Sequence, residues 1–177
     1  MPAFLDQFQT AIVGVVGFAG VILTLRHNAK LAKSERLERL EQERETVRVA
    51  LLTELSIVRL SIQENTKAVV EAIEYNAERV DGLKTGMLLQ PEPMTSAYNA
   101  FLPKIGLLGL ETLRPAMYAY LAIETAWSRL VLWPDIEPID GQLSIGWKYL
   151  PTLVEMWGNL IPDIDKAIVA LGGKPEE

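Results

Sequence analysis

Cysteine is absent from the chain, and histidine occurs once, at His27. The first absence excludes disulfides, thiolate metal sites and a cysteine nucleophile, and it fits a reducing compartment. The second leaves no material for a His-rich metal site. Di-iron carboxylate bundles need paired Glu-x-x-His motifs, which one histidine cannot supply. Basic charge is also short. Seventeen Lys and Arg against 23 Asp and Glu leave a net charge of −6, whereas a phosphate backbone asks for a basic surface. Nucleic acid is therefore not an expected partner. The carboxylates do not make up for these gaps. Asp135, Glu137 and Asp140 share one loop and Asp163 and Asp165 sit beside Pro162, but neither group has the alternate oxygen ligands, glycine and closing glutamate of a calcium loop. Enzymatic activity, a metal and a cofactor are all unexpected on these grounds.

Charge is missing altogether from Phe8 to Leu25. Counted from Phe4, the apolar run reaches the ~20 residues that cross a hydrocarbon core of ~30 Å. No basic residue precedes it, while Arg26, Lys30, Lys33, Arg36 and Arg39 follow. A secretory signal has the opposite order, so the run reads as a retained anchor. Basic residues close to a span stay on the cytoplasmic side. The expected placement is thus the inner (cell) membrane, single-pass, with the N-terminus outside and the C-terminal domain cytoplasmic. Within the run, Thr10, Gly14 and Gly17 fall near one helical face, where small residues let spans approach. Arg26, Lys30 and Lys33 form the juxtamembrane basic flank.

Glycine and proline are missing from Arg26 through Asp81, which favours one long helix rich in Glu, Arg, Leu, Ala and Lys. Its first part is mostly charged and reads as a solvated stalk, with pairs such as Glu35/Arg39 and Glu45/Arg48 at helical spacing. Its second part carries an apolar stripe of Val47, Leu51, Leu55, Val58, Ile62, Val69, Ile73 and Val80, widened by Leu52, Ile57 and Leu60. The stripe is shorter than a long coiled coil, and the later sequence offers apolar surface to cover it. Intrachain packing is expected, with dimer contacts along the stalk.

Gly86, Pro91 and Pro93 punctuate the next connection, in which Met87, Leu88 and Leu89 should pack down. A short helix through residues 97–102, capped by Thr95 or Ser96, precedes an elbow at 104–109. Residues 111–133 follow as a helix with Pro115 in its first turn. Glu124 and Arg129 would each cost ~2.5–3.5 kcal/mol at a bilayer centre, so this helix belongs in a protein core. A last helix from Gly146 to Leu171 should kink or break between Gly158 and Pro162 and stop at Gly172-Gly173. No alternating strand pattern stands out. Trp127, Trp133, Trp147 and Trp157, with Tyr98, Tyr118, Tyr120 and Tyr149, concentrate in this half, where core packing is favoured over an aromatic-lined pocket.

The expected fold is all-α: an N-terminal transmembrane helix (1–27), a charged helical stalk (28–46), and a small antiparallel helical bundle (47–177). The expected function is that of a membrane-anchored interaction or scaffold protein, an oligomeric component of a bacterial membrane-associated complex. Its partners would be the bilayer, further copies of itself and another protein. A membrane-permeabilising effector of holin or toxin type, acting through oligomerisation of the span, and a sensor for a small apolar ligand are the alternatives.

Overall fold

In the computed structural model, residues 2–78, 86–89, 95–133, 136–139 and 142–174 are described, with side chains from Gly17 onward except at 137–139. The chain divides into two compact units, Met1–Glu43 and Arg44–Glu177. Helix α1 spans Pro2–Glu78 without interruption, as the lack of glycine and proline beyond Arg26 allows. Val80, the last residue of the expected stripe, lies outside the described residues.

In the first unit every described side chain is exposed. Arg26, Lys30 and Lys33 are among them, and a side chain at Gly17 would meet open space. Thr10 and Gly14 lie outside the residues whose side chains are described. Among the described residues no helix is long and apolar enough to cross a membrane, and in the expected span the side chains of residues 4–16 lie outside those described.

The second unit is a helical bundle with a small sheet. Its core takes Val47, Leu51, Leu55, Val58, Ile62 and Val69 from α1, all buried, with Ile73 half-buried beside them. Ile57 and Leu60, read as widening the stripe, are instead exposed. They lie on a flank of α1 that no described residue buries.

After α1, strand β1 (Met87–Leu89) leads to helix α2 (Ser96–Phe101), a 3-10 segment at Leu102–Leu108, and helix α3 (Leu110–Val131). Strands β2 (Glu137–Ile139) and β3 (Gln142–Ile145) come next, then a 3-10 turn at Trp147–Tyr149 and helix α4 (Leu150–Ala170). The sheet has the antiparallel order β1-β3-β2. It corrects the expectation of a strand-free chain: strands this short hold too few residues to show alternation. Ile139 pairs with Gln142, so Asp140 and Gly141 alone join β2 to β3, and Asp-Gly is a strong hairpin dipeptide. Leu89 of β1 does pack down and is buried, whereas Leu88 is exposed. The sheet also explains Gly86. A Cβ there would sit 2.1 Å from the carbonyl oxygen of Ile145, so only glycine lets β1 approach β3.

Two prolines behave differently from expectation. Pro115 lies beyond the first turn, because α3 begins at Leu110 behind Gly109. Helix α4 is not broken at Pro162. The residue four before Pro162 is Gly158, and both are exposed, so the carbonyl that proline leaves unpaired faces water.

Directions follow from three contacts. Arg48 donates from Nη1 to the carbonyl of Leu171, and Arg59 Nε donates to Asp165 Oδ1 at 2.6 Å, so α4 runs antiparallel to α1. Trp133 stacks on Tyr149 with centroids 5.2 Å apart, so α3 ends where α4 begins. Helix α3 therefore runs in the same direction as residues 44–78 of α1. The end of α4 is a Schellman motif: Gly173 N–H donates to Ile168 and Gly172 N–H to Val169, each at 2.9 Å, with Gly172 at φ +82°.

Candidate interaction site on the bundle

One acid organises the region around α2. Glu54 lies on the buried face of α1, three residues after Leu51, and is only 7% exposed. Its Oε1 accepts from the backbone N–H of Ala97 at 2.6 Å and from Ser96 Oγ at 3.3 Å. Its Oε2 accepts from the N–H of Tyr98 at 3.0 Å and from the Tyr120 hydroxyl at 2.8 Å. The two amides belong to the first turn of α2, where a helix has no internal acceptors. A carboxylate also complements the positive end of the helix. Thr95 and Ser96, the expected caps, give α2 no side-chain cap of their own. The cap comes from α1 instead.

This clasp places an aromatic wall. Tyr98 stacks on Tyr120, with centroids 4.1 Å apart and planes inclined by 19°. Burial first, and then the hydrogen bond and charge of Glu54, hold the Tyr120 hydroxyl far above the usual phenol range. Burial, followed by the charge of Glu124, also pushes Tyr98 up. The sign is direct. In the unfolded chain Tyr120 releases its proton near pH 10, while the folded chain keeps it, so the unfolded state binds fewer protons above that pH. The stabilisation is complete below pH 10 and falls above it, at up to ~1.4 kcal/mol per pH unit. Urea unfolding between pH 9 and 11 should show this decline, and Tyr120→Phe should make it shallower, leaving the part due to Tyr98.

Helix α3 has two apolar sides. Ala116, Ala119, Tyr120, Ile123, Ala126 and Leu130 are buried. Leu110 is 81% exposed, Met117 44%, Tyr118 62% and Leu121 59%. A helix wholly inside the core, as the sequence suggested, is therefore corrected to one that covers the core with one side and shows apolar surface on the other. The outward side borders a recess of about 430 Å³ lined by Leu110, Leu113, Arg114, Met117, Tyr118, Leu121, Glu124 and, from α2, Tyr98. A second, wider groove of about 620 Å³ runs between α3 and α4, past Arg129, Trp133, Glu155 and Asp163.

The aromatics thus divide between two roles. Trp157 and Tyr120 are core, and Trp127, Trp133, Tyr98 and Tyr149 pack partly buried against it. Tyr118 and Trp147 are exposed. The Trp157 Nε1 is buried without a hydrogen-bond partner among the described residues.

The acids have structural partners where they are described. Asp165 pairs with Arg59, whose Nη1 also donates to Gln63 Oε1 at 3.0 Å, and Asp163 pairs with Lys166 at 3.1 Å. The side chains of Asp135, Glu137 and Asp140 lie outside the described residues. Among the described residues no three His, Cys, Asp or Glu side chains gather as a metal site would need.

Comparison with known proteins assigns no family. No family model matches the chain, and neither a curated protein nor a solved structure matches it significantly.

Glu54 and Arg59 are the organising residues that the sequence reading passed over. Both carry a visible signal, because each sits in phase with the apolar stripe: Glu54 between Leu51 and Val58, Arg59 between Leu55 and Ile62. A charge on a buried helical face implies a partner.

Proposed function

We propose that the chain is a membrane-tethered interaction protein that self-associates and presents its C-terminal bundle to a protein partner. Residues 4–25 enter the bilayer, with the N-terminus outside and the bundle in the cytoplasm. The observation that carries the interaction reading is the apolar outward side of α3, bordered by a preformed recess. Exposed apolar patches rimmed by charge mark binding surfaces. The tether draws its support from the uncharged run ending at Leu25 and the basic residues that follow it.

Membrane fractionation tests the tether. The full chain should stay with membranes through an alkaline carbonate wash, and removal of residues 1–25 should release it. A C-terminal reporter should signal only from the cytoplasm. Release of the intact chain by the wash would sink the tether, and a periplasmic signal would reverse its orientation.

A second reading, a sensor for a small apolar ligand, draws on the size and lining of the α3 recess. No described residue adds support to the membrane-permeabilising alternative.

A further inference from the structure

The outward side of α3 has an order that a scattered apolar surface lacks. Leu110, Arg114, Met117, Leu121, Glu124, Ser128 and Val131 follow one another at alternating spacings of four and three, the repeat of a helix seam. All seven are exposed. The apolar pair Met117 and Leu121 is central, with a base one turn before it and an acid one turn after. We propose that this seam is a self-association surface, on which α3 of a second copy packs antiparallel about a two-fold axis near residue 119.

The arrangement of charge selects that geometry. In an antiparallel pair centred there, Met117 meets Leu121 of the other copy, Arg114 meets Glu124, and Leu110 meets Ser128. Each heterotypic pair occurs twice, as an isologous interface requires. A parallel pair would set Arg114 against Arg114 and Glu124 against Glu124, so it is disfavoured. The recess lies along the same residues and is walled on one side by Tyr98, which gives the partner's Met117 and Leu121 a place to enter. The Glu54 clasp fixes that wall by holding α2 on α3.

This inference goes beyond the proposed function and is independent of the tether. Because α3 runs with residues 44–78 of α1, the two-fold sets those segments of the two copies antiparallel. The measurement therefore suits full-length chain in mild detergent, where copies orient freely.

Light scattering should give the mass of two chains. Arg114→Glu or Glu124→Arg alone should weaken the dimer roughly tenfold or more, because like charges then face each other. Carrying both substitutions in one chain should restore it, and so should mixing the two single variants. Both residues are exposed, so native circular dichroism should persist in every variant. The chain has no native cysteine, so Leu110→Cys and Ser128→Cys report register cleanly. Mixed together they should form the 110–128 disulfide under oxidation, and neither alone should self-link. A monomer, with or without a small molecule in the recess, would overturn the proposal. So would a dimer indifferent to the charge reversals, which would belong to another surface, or 110–110 and 128–128 disulfides, which would mean a parallel pair.

Discussion

Replacing Glu54 with alanine should destabilise the C-terminal bundle by about 2–5 kcal/mol, because several buried donors lose one charged acceptor together. The loss has identifiable parts. Two backbone amides of α2 and the Tyr120 hydroxyl lose their acceptor at once. Each buried donor left unpaired costs about 1–3 kcal/mol, and contributions within one network do not simply add. Glu54→Gln should cost less, because one oxygen remains, but its amide group turns donors toward donors. Tyr120→Phe should cost least, about 1–2 kcal/mol, since the carboxylate keeps its other three donors. Urea denaturation of the three single variants and the Glu54→Ala/Tyr120→Phe pair would give the coupling directly. If Glu54→Ala changed stability by less than about 1 kcal/mol, the clasp would not hold α2 as described.

The second large effect concerns the stripe on α1. Leu51→Ala should cost about 2–5 kcal/mol, since Leu51 is fully buried and truncation leaves a cavity as well as losing burial. Ile57→Ala and Leu60→Ala, on the same helix but exposed, should each change stability by about 0.5 kcal/mol or less. The contrast matters more than either value. A second copy laid along α1 would cover Ile57 and Leu60, and the costs would then converge. Thermal or urea unfolding of the three variants, side by side, decides between a stripe covered by its own chain and one shared with another.

The fold was legible where periodicity carries the information. Val47 through Val69 recur with the helical period because one side of α1 faces the core, and that period survives in the sequence. How wide the buried side is depends on how many helices flank it, and period alone does not reveal that, so Ile57 and Leu60 were read as buried. The C-terminal end of α4 was legible for a local reason: Gly172 supplies the positive φ that a Schellman stop requires. The sheet was not, because Met87–Leu89 and Glu137–Ile139 are strands only in each other's company, through β3. Asp140-Gly141 was the one local clue to it.

The site was less legible still. Glu54 announces itself as an acid on a buried face, but its partners are backbone amides more than forty residues away, and any sequence supplies those. The outward side of α3 was hidden by its own composition. A helix apolar on both sides reads as buried, and only the structure separates the alanine-rich side against α4 from the side with Leu110, Met117 and Leu121.

Arg48 has a mechanical consequence. Its hydrogen bond to the Leu171 carbonyl joins the last turn of α4 to the stretch of α1 where the bundle begins. Load entering the bundle through Arg44 and leaving through its C-terminal end therefore pulls on neighbouring points. The antiparallel pair of α1 and α4 meets that load as a zipper. Arg48 would release first and the Arg59–Asp165 pair only after it, each contact yielding in turn rather than all sharing the force. A bundle loaded in this way opens from a defined end, with the Glu54 clasp further along α1 than Arg48, the first contact to yield.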